Sequence, residues 1–169
     1  EGNRSITEAD ERRSMSEQVD PDRVRGGQMT DAEIDTFLQQ QGTGVLSLAD
    51  GNQAYAVPIS FGYERGRAVF SFWQFNPDSR KVAYSEATER ACLAVYDIES
   101  QHDWQSVLAF GPLRELTTRE WGEVGELLDE NAWSPDLTGV GRRQLSIVGY
   151  EMEIEEVTGL QRRPETSGE

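Results

Sequence analysis

Ser79-Arg80-Lys81 is the stretch of this chain best equipped for chemistry. A hydroxyl, a planar guanidinium and a compact ammonium in succession can surround a phosphate, because they supply two charges and donors in different geometries. Lys81 is the only lysine among 169 residues; every other basic side chain is arginine, and the 16 cations face 31 Asp and Glu. A sequence that keeps one lysine beside Arg and Ser needs a point charge there, whereas the plainer reading is a leftover surface lysine at a helix start. The remaining reactive residues are sparse. His102 lies between Gln101 and Asp103, a common solvated triplet that cannot form a metal centre with carboxylate neighbours alone. Cys92 sits in the apolar run Ala91-Cys92-Leu93-Ala94-Val95, which excludes an internal disulfide and reads as an inert, buried thiol. Trp73 and Phe75 are candidates for lining a pocket, while Trp121 falls at helix-core spacing. No nucleophile elbow, P-loop or zinc spacing is present.

The triplet needs elements to hold it. A capping box at Thr30 and Glu33 opens a helix with Ile34, Phe37 and Leu38 on one face, which Gly42 closes. Alternating stretches follow: Thr43 to Ala49, a turn at Asp50-Gly51, Gln53 to Tyr63, a turn at Arg65-Gly66, and Arg67 to Trp73. Pro58 places its strand at an edge or bulge, since proline cannot donate to a ladder. After a loop, a short helix starts at Ser79. Arg90 to Tyr96 and Trp104 to Leu116 are strands four and five. A second box, Thr117 and Glu120, starts a helix, and Gln144 to Val157 is strand six. The fold class is therefore mainly β, a six-stranded antiparallel barrel with a few helices. Residues 1–28 hold too few apolar groups to offset their ordering entropy and read as a disordered or partner-draped arm; 29–160 is the domain and 161–169 a flexible tail.

A net charge of −15 and a pI near 4.4 argue against nucleic acid or an anionic membrane as partner. Acid excess with almost no lysine is the surface expected of a halophile, where a Debye length of roughly 3 Å screens self-repulsion. No run approaches the ~18 apolar residues of a membrane span, which makes the cytoplasm the expected compartment.

The order of these signals is more specific than any one of them. Val57-Pro58-Ile59-Ser60 leads to Ala68-Val69-Phe70-Ser71-Phe72, then Ser79-Arg80-Lys81, then Ser106-Val107 running to Gly111. This resembles the FMN-binding split-barrel superfamily named after pyridoxamine 5′-phosphate oxidase, over about Thr30 to Val157. The resemblance implies a six-stranded Greek-key split barrel and a homodimer with FMN at the subunit interface. It implies that Ser79, Arg80 and Lys81 hold the phosphate and that Ser71 and Phe72 lie at a cofactor-contacting strand end. Val57, Pro58, Ile59 and Ser60 would run along the isoalloxazine, and Ser106, with Gln105 as the near-register alternative, would touch the flavin. Two departures stand out. Tyr55 and Ser60 occupy positions where the oxidase has a second Arg and Lys, and the oxidase's C-terminal Arg-x-His has no counterpart. Vitamin B6 oxidation is accordingly not expected. The implied activity is an FMN-dependent oxidoreductase using reduced nicotinamide on an unknown small molecule; the alternatives are a non-catalytic flavin carrier or sensor, or a barrel for another cofactor such as deazaflavin. One histidine makes haem ligation a poor fit.

Overall fold

A computed structural model describes residues 26–74, 78–131 and 146–164. Along the chain run β1 (Gly27–Gln28), α1 (Asp31–Gln40), β2 (Thr43–Asp50), β3 (Gln53–Glu64), β4 (Arg67–Gln74), α2 (Arg80–Ala87), β5 (Ala91–Ser100), β6 (Asp103–Gly111), β7 (Leu113–Glu115), α3 (Thr118–Asn131), β8 (Ser146–Glu153) and β9 (Glu156–Arg162). Both capping boxes form. The Glu33 amide donates to the Thr30 hydroxyl at 3.3 Å while its carboxylate accepts the Thr30 amide at 2.7 Å. Glu120 accepts the Thr117 amide at 2.8 Å, and these local donors hold its carboxyl down at about 2. Helix α1 ends on an extended Gln41 instead of a left-handed Gly42.

All pairings are antiparallel, in the order β1-β9-β6-β5-β2-β3-β4-β8-β7. Among the described residues nine strands stand where the alternation predicts six. The stretch from Trp104 to Leu116 divides into β6 and β7 at Pro112, which has no amide for a ladder. The stretch from Gln144 to Val157 divides at 154–155, where the chain crosses between sheet halves. The Ile154 amide donates to Gly66 and the Glu155 amide to Phe110, at 2.8 and 2.9 Å. Strand β1 is the third addition: Gly27 and Gln28, expected in the arm, pair with Gln161 and Leu160. Gln161 and Arg162, expected in the tail, belong to β9. Residues 1–25 lie outside the described residues.

The sheet curls without closing, so the architecture is a split barrel with edges at β1 and β7. Strand β3 makes the split. Gln53 to Ser60 pair with β2, whereas Phe61 to Glu64 pair with β4. Pro58 therefore sits where β3 has only one neighbour, which is where its missing donor costs least. Beyond Phe70, β4 leaves β3 and continues on β8 alone. Helix α2 bridges the divergence, touching β2 through Thr88, β3 through Tyr84 and β4 through Lys81. Inside, Phe61, Phe70, Phe72, Leu46, Leu93 and Met152 are fully buried. On the outside of β3 and β4, helix α3 packs Val124 and Leu128 against Val69. Gly149 is required beneath it, because a Cβ there would lie 2.2 Å from the Trp121 ring.

Candidate functional site

The start of α2 is electrostatically unusual. A helix N-terminus carries partial positive charge and favours acids in its first turn. Here that turn has no acid but holds Arg80 and Lys81. Ser79 is the N-cap, yet its hydroxyl makes no capping bond. Lys81 is half-buried; burial lowers its pKa, and its ammonium stands 5.6 Å from the centre of the Phe72 ring. Among the described residues neither cation has an ion-pair partner. Two unpaired cations on a positive helix end repel one another, and an anion placed there resolves both costs. The helix is firmly seated. Ser85 donates to the Lys81 carbonyl at 2.8 Å, and the Thr88 hydroxyl donates to Tyr84 at 2.6 Å while accepting the Ala49 amide at 2.9 Å.

The other sequence-predicted residues divide between two faces. Phe72 is fully buried against Tyr150, ring centres 4.8 Å apart, so it forms the wall beneath Lys81. Val57 and Ile59 also turn toward the core, whereas Pro58 is exposed on the opposite face and Ser60 shares its parity. Ser71 lies on the α3 side of β4, where its hydroxyl accepts the Trp73 indole N–H at 3.3 Å. Ser106 lies on the outer face of β6, between Tyr96 and Leu160. Gln105 points the other way. It donates to Gln161 at 3.2 Å and accepts from Arg163 at 2.6 Å, lining a groove of about 390 Å³ beside α1. The two register alternatives are thus on opposite sides of the sheet. His102 is exposed in the β5–β6 turn, bonded to Gln101 at 2.9 Å. Phe75 lies outside the described residues.

Two features escape a linear reading. Tyr55 of β3 packs on Tyr84 of α2, centroids 5.0 Å apart and tilted by 35°. Tyr150 has a buried hydroxyl without a hydrogen-bond partner among the described residues, and burial pushes its pKa to about 12. Both depend on which elements meet, and no local spacing signals that.

The outer face of β2, β5, β6 and β9 is apolar and, among the described residues, uncovered. Tyr96, Ile98, Leu108 and Leu160 are 55%, 67%, 42% and 38% exposed, and Ala94 and Phe110 lie among them. Helices α1 and α2 pack on the core side, through Ile34, Phe37, Val82 and Tyr84. Apolar groups gathered on one sheet face in this way mark an interaction surface. Cys92 shares the face, with its thiol pushed up by partial burial. Among the described residues no group of acids, Cys and His could hold a metal, and no helix is long and apolar enough to cross a membrane.

Residues 30–161 match the family described as pyridoxamine 5′-phosphate oxidase. No functionally curated protein matches the sequence. Among solved structures, an FAD-binding protein of Mesorhizobium loti superposes with a TM-score of 0.59 at 21% identity, covering 80% of this chain and 96% of that one. An FAD binding protein of Mycobacterium smegmatis gives 0.61 at 13% identity, with 82% and 99% covered. A FAD and heme binding protein of the same species gives 0.62 at 16%, with 81% and 74% covered. At such identities these likenesses speak for the fold.

Proposed function

Since the chain belongs to the pyridoxamine 5′-phosphate oxidase family, we propose that it is a flavoprotein that binds FMN and that it works as an oxidoreductase fed by reduced nicotinamide. The observation that carries the reading is the pair of cations at the start of α2, half-buried at Lys81 and without a counter-ion among the described residues. That donor set fits a phosphate: the Ser79 hydroxyl makes no capping bond, Lys81 offers a point charge and Arg80 a fork. Solved structures with this fold include proteins named as FAD-binding, which agrees with a flavin here. When bound, the flavin supplies the hydride chemistry. The chain's own residues bind and orient it. Lys81 and Arg80 neutralise the phosphate, and Phe72 backs Lys81 with an apolar wall that strengthens the charge contact by keeping water away.

The uncovered sheet face supports a homodimer with the flavin held along the seam. A two-fold axis over this face would bury Tyr96, Ile98, Leu108 and Leu160 against the same groups of a second copy. Ser106 and Pro58 lie on that face and would reach a cofactor in the seam. The lone thiol of Cys92, with no partner for a disulfide, suits the reducing cytoplasm.

A second reading, a flavin carrier without turnover, draws on one observation: among the described residues no His or carboxylate pairs with Lys81 or Arg80 to move a proton. One experiment addresses both. The full chain in multimolar salt is titrated with FMN, its sedimentation is followed at the flavin band, and reduced nicotinamide is then added. Flavin sedimenting with a dimer supports the site, and nicotinamide consumption selects the enzyme. A protein that ignores FMN overturns the proposal.

A further inference from the structure

The start of α2 makes no use of Gln105, which belongs to a different place. It lines the groove of about 390 Å³ between α1 and the ends of β6 and β9. A directed chain of hydrogen bonds runs along that side. Arg163 donates to the Gln105 oxygen at 2.6 Å, the Gln105 amide to Gln161 at 3.2 Å, and the Gln161 amide to the Glu33 carboxylate at 2.7 Å. A guanidinium can only donate and an ionised carboxylate can only accept, so the two ends fix the orientation of both amides. Each amide has then spent one N–H and keeps a second for another acceptor. Arg163 also has donors to spare, since among the described residues it meets only Gln105 and, at 3.7 Å, Asp103. At the other end the Thr30 amide, then the Gln161 side chain, hold the Glu33 carboxyl below its ordinary range. One Glu33 oxygen takes both Thr30 donors, at 2.7 and 2.8 Å, and the other takes Gln161. Ala32, Thr36 and Phe37 supply the α1 side of the groove.

Charge balance narrows the ligand. One cation and one anion line the groove, and Asp97, Glu99 and Asp103 line an adjoining hollow that shares Arg163. A free phosphate would meet these acids with a single guanidinium to offset them. A molecule with a carboxylate at Arg163 and an ammonium at Glu33 satisfies both ends. Three hydrogen bonds and two amide groups separate those ends, a span on the order of 10 Å, or about three residues of extended chain. A single amino acid carries both charges on one carbon and reaches one end only. We propose that this groove binds a short peptide with free termini, its carboxylate on Arg163, its ammonium on Glu33 and its backbone carbonyls on the spare N–H groups of Gln105 and Gln161. The groove shares no residue with the start of α2, and its ligand is independent of any flavin bound there.

Calorimetric titration of the full chain with trialanine in high salt tests it, beside the N-acetylated and the C-amidated tripeptide. Each capped form is expected to bind more weakly by on the order of ten-fold, the scale of one charge-assisted contact. Arg163→Gln should bring the free tripeptide down to the level of the amide, with no further loss for the amide. Glu33→Gln should do the same for the acetylated form, and glutamine at that position keeps the capping box of α1. Circular dichroism shows that both variants fold. Trialanine that does not bind overturns the proposal and leaves the hydrogen-bond chain as a fastening of α1 to the sheet. Equal affinity for the free and capped forms overturns it too, because the terminal charges would then go unread. A loss on capping that neither variant reproduces puts the peptide outside this groove, which is a third way for the proposal to fail.

Discussion

The Lys81 ammonium stands over the buried Phe72 ring, 5.6 Å from its centre, and the ring is held from elsewhere by Tyr150 at 4.8 Å. Phe72 therefore cannot follow Lys81 if the lysine moves, and the charge keeps a fixed apolar backing. Replacing Lys81 by Met keeps the packing and removes the charge. We expect FMN affinity to fall by about 1.5–3 kcal/mol, the size of a charge-assisted contact. Riboflavin, which lacks the phosphate, should bind as before. Equal losses for both ligands in a fluorescence titration would show that Lys81 packs the barrel and holds no phosphate.

The depressed pKa of Lys81 gives this contact a pH signature. Burial pushes the group below its ordinary 10.5. The ammonium is needed for the phosphate, so FMN affinity should be flat from about pH 7, above the second ionisation of the phosphate, up to the folded pKa and fall as pH rises through it. Stability of the free protein runs the other way. Between the folded pKa and 10.5 the unfolded chain binds more protons at this site, so raising pH relieves a desolvation cost. Lys81→Met should abolish both slopes. FMN titrations and thermal unfolding of the ligand-free protein at a series of pH values below 10 would show whether the two move in opposite directions.

Tyr63 ties α1 to the β3–β4 hairpin. Its hydroxyl donates to the Asp35 carboxylate and accepts the Gly66 amide at 3.2 Å. Burial, then the Asp35 hydrogen bond, raises its pKa to about 12. The folded state therefore holds this proton more tightly than the unfolded chain. Its contribution is complete below the ordinary 10.0 and is lost as pH climbs toward 12. Tyr63→Phe is expected to cost about 1–3 kcal/mol at neutral pH. It should also flatten part of the alkaline loss, the rest belonging to Tyr150. Chemical denaturation at pH 7 and 11 reads both effects.

Leu108 lies on the outer face of β6, 42% exposed, with its neighbours Ala94 and Thr158 across the ladders. An aspartate there meets water in a monomer and its own copy in a dimer. Leu108→Asp is expected to leave circular dichroism unchanged while shifting sedimentation to monomer and weakening FMN. A variant that stays dimeric would move the two-fold axis off this face.

Much of this was legible in the sequence for reasons that are local. The Thr30 and Thr117 boxes form because each satisfies amides within four residues, and Pro58 marks an edge because a missing donor has few places to go. The rest was hidden where one pattern serves two structures. Alternation continues unbroken through Ile154 and Glu155, so a strand that changes sheets looks like one strand. Gln105 and Ser106 are adjacent, and a shift of one residue sends the side chain to the opposite face. The Tyr55–Tyr84 pair joins residues 29 positions apart on a strand and a helix, and only the seating of α2 brings them together.

Salt should discriminate between two opposing effects. The ion pairs of the described residues lie at least partly in solvent and all use arginine, so screening removes little from them. A net charge of −15 repels itself throughout, and screening relieves that. The melting temperature is therefore expected to rise between low and multimolar KCl. A flat or falling curve would show that the acid excess has no bearing on salt tolerance.

A chain with one lysine has only one side-chain amine available for acylation. That amine sits at the proposed phosphate contact, and burial makes more of it nucleophilic at moderate pH than an exposed lysine would be. An amine-directed reporter would thus attach where occupancy is to be read, without the mutagenesis that site-specific labelling ordinarily demands. Protection of this one position by an added nucleotide becomes a footprint of the ligand, read in the peptide that carries Lys81 and so apart from any label on the amino terminus.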